Sequence, residues 1–97
     1  MKLGVGLKEA MGNDVVHFEF KGRWKEELVC SSSQGSFVLE MPMGVVSVFL
    51  PTAEQWPLVA PDWAKSHWGE LHMQLSAWCT AANIPLSVDP TAQVYEH

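Results

Sequence analysis

The sequence predicts an α+β domain: an antiparallel meander of four or five strands packed on one long C-terminal helix, with one or two short strands after it. Three observations carry this. Apolar and polar residues alternate in short runs between residues 15 and 50, the period of half-buried strands. From residue 64 the apolar positions instead recur at steps of three and four, the period of one helix face, and alternation returns after residue 83. Short turn clusters separate the early runs, so neighbours in sequence can pair as hairpins. The 97 residues, 47% of them apolar, suit a single domain spanning 1–97 that can bury a core without disulfides or metal.

Leu3, Val5 and Leu7 alternate with Lys2, Gly4 and Gly6, a first strand weakened by its glycines. Gly12-Asn13-Asp14 reads as a turn, after which Val16, Phe18 and Phe20 alternate with Val15, His17 and Glu19 in the clearest strand of the chain. Lys21-Gly22-Arg23 turns it. Trp24, Glu26, Leu28 and Cys30 then share one face, with Glu26 breaking the apolar pattern near the strand's start. SSSQGS, residues 31–36, is a polar loop of about five residues that closes a hairpin onto Phe37, Leu39 and Met41. Pro42-Met43-Gly44 bends the chain, and residues 45–50 (VVSVFL) form a nearly continuous apolar run, the mark of a strand covered on both sides.

Thr52 with Gln55 matches a capping box, although Pro57 allows only about one turn of helix there. The long helix is predicted over residues 62–83. Ala64, Trp68, Leu71, Leu75, Trp78 and Ala82 make its buried stripe, Pro61-Asp62 its start, and Asn83 a left-handed end ahead of Pro85. Ile84, Leu86 and Val88 alternate, Asp89-Pro90 turns, and Ala92 and Val94 suggest a closing strand. With the helix on one face of the sheet, the other face, carrying His17, Glu19, Glu27, Val38 and Glu40, is expected to be mixed and wet or met by a partner.

The net charge of −5 is uneven. Residues 1–25 hold five basic side chains against three acidic ones, whereas beyond them Lys65 stands alone against eight acids. Phosphate neutralisation needs the opposite balance, which argues against nucleic acid as a partner. Lys21, Arg23 and Lys25 around Trp24 read as a solvated hairpin end. The N-terminal apolar run is cut by Lys8 and Glu9, and no stretch approaches the ~20 apolar residues of a membrane span, so a cytoplasmic protein without membrane contact is expected.

Catalytic and metal signatures are weak. His67 and His72 are five positions apart and point about 140° from each other on a helix, so with Cys79 they do not make a metal site. Cys30 and Cys79 read as small buried hydrophobes, with the question of pairing left open. Gly4-Val5-Gly6 lacks the third glycine of a dinucleotide loop, and the serines at 31–33 lack a nucleophile frame. No cofactor is implied. Trp63 lies on the shoulder of the helix stripe with His67, Glu70 and Gln74, at steps of four, three and four. A tryptophan heading a half-polar stripe has the make-up of a protein-binding patch, continued by the small Ala77 and Ala81. The sequence thus favours a non-enzymatic protein-binding module of the neutraliser, chaperone or adaptor type, with another protein as partner and a homodimer possible. The alternative is a small-molecule binder or small enzyme with a pocket between helix and sheet, lined by Trp24, Trp56, His17 and a cysteine.

Overall fold

The computed structural model describes residues 15–23, 26–42, 44 and 46–96. The strand expected through Leu3, Val5 and Leu7, the turn at Gly12-Asn13-Asp14, and Trp24, Lys25, Met43 and Val45 lie outside them. The described elements are β1 (Glu19–Arg23), β2 (Glu27–Ser32), β3 (Gly35–Glu40), β4 (Val48–Leu50), α1 (Trp56–Val59), α2 (Trp68–Ala82), β5 (Leu86–Val88) and β6 (Val94–Glu96). They build an α+β domain in which α2 covers one face of a six-stranded sheet of order β1-β2-β3-β4-β5, with β6 also on β3.

β1, β2 and β3 form the expected antiparallel meander with other bounds: Lys21-Gly22-Arg23, expected as a turn, ends β1 instead and pairs with Val29, Leu28 and Glu27. Phe20 pairs with Cys30 and Cys30 with Phe37, which puts the aromatic and thiol side chains on the inner face together with Leu28 and Leu39. The β2–β3 turn is tighter than expected. Ser32 already pairs with Gly35, so only Ser33 and Gln34 lie in the loop, and the Gln34 N–H donates to Ser32 Oγ at 3.0 Å. The long apolar run is shorter as a strand than its sequence suggests: only Val48–Leu50 enters the sheet, while Val46 is exposed.

The sheet is mixed, because the connection from β4 to β5 contains α2. A helix returns the chain to the end of the sheet it left, so β5 runs parallel to β4, with Val48 opposite Leu86 and Leu50 opposite Val88. Ser47 is buried beneath this join, where its hydroxyl shares a 2.9 Å hydrogen bond with that of Ser87. β4 reaches β3 only at Glu40 and Phe49, which leaves the rest of that edge open to β6: Phe37, Val38 and Leu39 pair with Glu96, Tyr95 and Val94. The closing strand is therefore paired to the interior strand β3.

The long helix begins later than its periodicity implies. Asp62–Ala64 is a 3₁₀ turn, and α2 starts at Trp68, with His67 in a non-helical conformation ahead of it. The reason lies at one carbonyl. In an uninterrupted α-helix the Ala64 C=O would accept from the Trp68 N–H. Here it accepts instead from the His67 N–H at 3.0 Å and from the Trp56 indole N–H at 2.8 Å. The far end agrees with expectation. Asn83 is left-handed (φ 61°), its N–H donating to Thr80 and the next, that of Ile84, to Cys79, a Schellman closure.

The break also shifts the stripe. Ala64, Leu71 and Leu75 are buried as expected, but Cys79 joins them while Trp68 and Trp78 are half-buried at the sides and Ala82 is exposed. The outer sheet face departs from expectation too: its rim is polar, yet Val29 and Val38 at its centre are buried, Val38 to 1% exposure.

Trp56, fully buried and T-shaped against Phe37 at 5.5 Å, anchors the short helix to the core and ends the 3₁₀ turn through its indole. Trp56→Ala is expected to cost about 3–5 kcal/mol in urea unfolding, against less than about 0.5 kcal/mol for Leu58→Ala on the exposed side of the same helix.

Candidate functional site

The first two turns of α2 present Glu70 and Gln74 on one face, one turn apart. Across them lies the segment of residues 16–18, which belongs to no ladder among the described residues, since strand pairing begins only at Glu19 opposite Ser31. Gln74 holds it at both ends of its amide. The side-chain N–H donates to the Val16 carbonyl at 2.7 Å, and the side-chain carbonyl accepts from the Phe18 N–H at 2.8 Å. These partners admit only one orientation of the amide. Along one edge of the segment a donor and an acceptor are thus offered by one helix side chain, where a neighbouring strand would offer its own main chain.

Glu70 also takes a hydrogen bond from His67, Nδ1 to Oε2 at 3.1 Å. Partial burial pushes its carboxyl up. The hydrogen bonds from His67 and from its own N–H, the charge of His67 and the Val16 N–H outweigh that and hold it below the ordinary range.

Trp63 has left the helical register. Its indole lies over Phe18 (6.1 Å between ring centres, 29° between planes) and beside Phe37 at 5.9 Å, and Phe18 stacks in turn on Phe20 at 6.4 Å. It presses on Gly35, where a Cβ would fall 2.7 Å from the indole nitrogen, so no larger residue fits there without moving Trp63. The four shoulder residues read from the sequence therefore do not form a single stripe: His67, Glu70 and Gln74 are on or next to α2, while Trp63 forms the aromatic floor under Phe18. All four are partly exposed, and Gln74 and Trp63 engage the chain's own segment.

Beyond the shoulder, α2 has an uncharged back. Of its fifteen residues only Glu70 is acidic and none is Lys or Arg; Gly69, Met73, Ala77 and Thr80 face solvent, Met73 at 64% exposure. Sequence reasoning misses Met73, although its place in the uncharged series 69, 73, 77 and 80 is a signal that could find it.

The residues considered for other chemistry are dispersed. His72 stacks flat on Trp68 at 4.7 Å, His67 turns to Glu70, and Cys79 is in the core. No group of three or more His, Cys, Asp or Glu side chains suited to a metal occurs among the described residues. Cys30 and Cys79 are both free and buried; burial, and for Cys30 also the nearness of Cys79, push the thiols up and keep them protonated. Trp56 and His17 do not meet in a pocket, the first being fully buried and the second exposed. Arg23 donates to Glu27 at 2.7 Å on the rim of the outer face. No helix among the described residues is long and apolar enough to cross a membrane. No family model matches this chain, and no curated protein or solved structure matches it.

Two measurements check the shoulder. Gln74→Leu should lower stability by about 1–3 kcal/mol, since it leaves a carbonyl and an N–H of the segment without partners, and should speed amide exchange at Phe18. Glu70 has a folded pKa below its unfolded value, so the stability it adds is present above the ordinary carboxyl range and is lost as pH falls through the folded pKa. Glu70→Gln should accordingly flatten the fall in stability between about pH 5 and pH 3, as measured by urea unfolding.

Proposed function

We propose that this chain is a non-enzymatic, cytoplasmic protein-binding module of the neutraliser, chaperone or adaptor kind, and that its partner meets the shoulder formed by Trp63, His67, Glu70 and Gln74. One observation supports this above the rest: the Gln74 amide already satisfies main chain, that of Val16 and Phe18, over an aromatic floor. Groups that satisfy main chain rather than particular side chains suit a protein ligand. The uncharged back of α2, with Met73 exposed beside Gln74, gives a partner apolar area next to the polar fork. The buried, protonated thiols accord with a reducing compartment.

The test is site-specific photocrosslinking in cells of the source organism, with the probe at His67 or Met73 and, as control, at Lys21 on the outer sheet face. One stoichiometric adduct from the first two positions and none from Lys21 is expected. The purified partner should then bind the Met73→Glu chain at least tenfold more weakly, with folding stability within about 0.5 kcal/mol of wild type because Met73 is largely exposed. Equal adducts at all three positions, or binding indifferent to Met73→Glu, overturn the proposal.

A further inference from the structure

We infer that the shoulder engages its partner as an added strand: an extended partner segment carrying a β-branched residue, any residue, and then an aromatic, laid on α2 in the place that residues 16–18 occupy. The inference rests on the reading of the chain as a protein-binding module and specifies the chemistry of its ligand.

Three features define that chemistry. The amide of Gln74 reads a C=O and the N–H two residues on, which any extended backbone supplies. Side-chain selection falls on alternate positions. Val16 and Phe18 are buried, Phe18 against Trp63, Phe37 and Phe20, whereas Val15 and His17 point outward and are not selected. The resident segment is joined to the sheet by side-chain packing and not by strand pairing. It contributes to no ladder among the described residues, so its replacement leaves every pair between β1 and β2 in place. The chain's own segment thus acts as a stand-in ligand, and a partner strand competes with it at the high local concentration that tethering gives.

The probe is the capped peptide Val-Val-His-Phe-Glu, the sequence of residues 15–19, titrated to millimolar concentration into the full-length isotope-labelled chain. Saturable shifts of the Gln74 side-chain amide and of the Phe18 backbone amide are expected, and replacing the peptide's Phe by Ala should weaken binding at least tenfold. The Phe18→Ala chain, whose resident segment is loosened, should bind the peptide at least tenfold more tightly than wild type. Should that variant fail to fold, the wild-type titration decides alone. An unmoved Gln74 amide, or equal binding of the Ala peptide, overturns the inference. A concentration-dependent dimer by light scattering that loses peptide binding also overturns it, in favour of exchange of residues 16–18 between copies. If the peptide fails while Met73→Glu still weakens the crosslinked partner, the strand mode alone is lost; if Met73→Glu has no effect, the module reading is lost with it.

Discussion

The carbonyl of Ala64 is the constraint on which the rest of the structure depends. By accepting from the Trp56 indole and the His67 amide it has no place for the Trp68 N–H, and the helix cannot pass through residues 65–67. The interruption turns Trp63 away from the helix surface and onto Phe18 and Phe37. A line of aromatic contacts results, from Trp78 on α2 through Phe20, Phe18, Trp63 and Phe37 to Trp56 on α1, with successive ring centres 5.5–6.4 Å apart. Each such contact adds roughly 0.5–1.5 kcal/mol beyond the area it buries, so the line ties both helices to the sheet through its inner face.

The segment at residues 16–18 is held on different terms from the strands after it. Its two hydrogen bonds to Gln74 contribute on the order of 1–3 kcal/mol together, and burial of Phe18 about as much again. Burial of Val16 and the three aromatic contacts of Phe18 add to this, so the segment is bound into the core by side-chain packing rather than by strand pairing.

The fold class is legible because period-two and period-three-to-four patterns survive intact in the sequence, and Asn83 announces its left-handed cap by residue type alone. The features that escape are consequences of tertiary hydrogen bonds. Nothing in PDWAKSH says that the indole of Trp56, eight residues before Ala64, claims a helix carbonyl, so periodicity starts the helix six residues too early and gives Trp63 a helical azimuth it does not keep. The same holds for Gln74: a glutamine on a helix shoulder looks solvated, and only the neighbouring chain reveals its two main-chain bonds. The parallel join of β4 and β5 is implicit in a helix lying between two strands, but the alternation of each strand carries no direction. Spacing sets the four shoulder residues on one helix face, but the broken helix separates Trp63, which packs on Phe18, from Glu70 and Gln74 on α2.

The splitting of one edge of β3 between β4 and β6 has a consequence for synthesis. Phe37, Val38 and Leu39 find their partners only in residues 94–96, made some 55 residues later. At ~5–20 residues per second the ribosome leaves that apolar edge without its partner strand for ~3–11 s. Throughout that interval the nascent meander presents a row of free main-chain groups of the kind that recruits other chains. A domain with this strand order matures only after translation has passed its helix, and its vulnerability to aggregation is greatest while it is still being made.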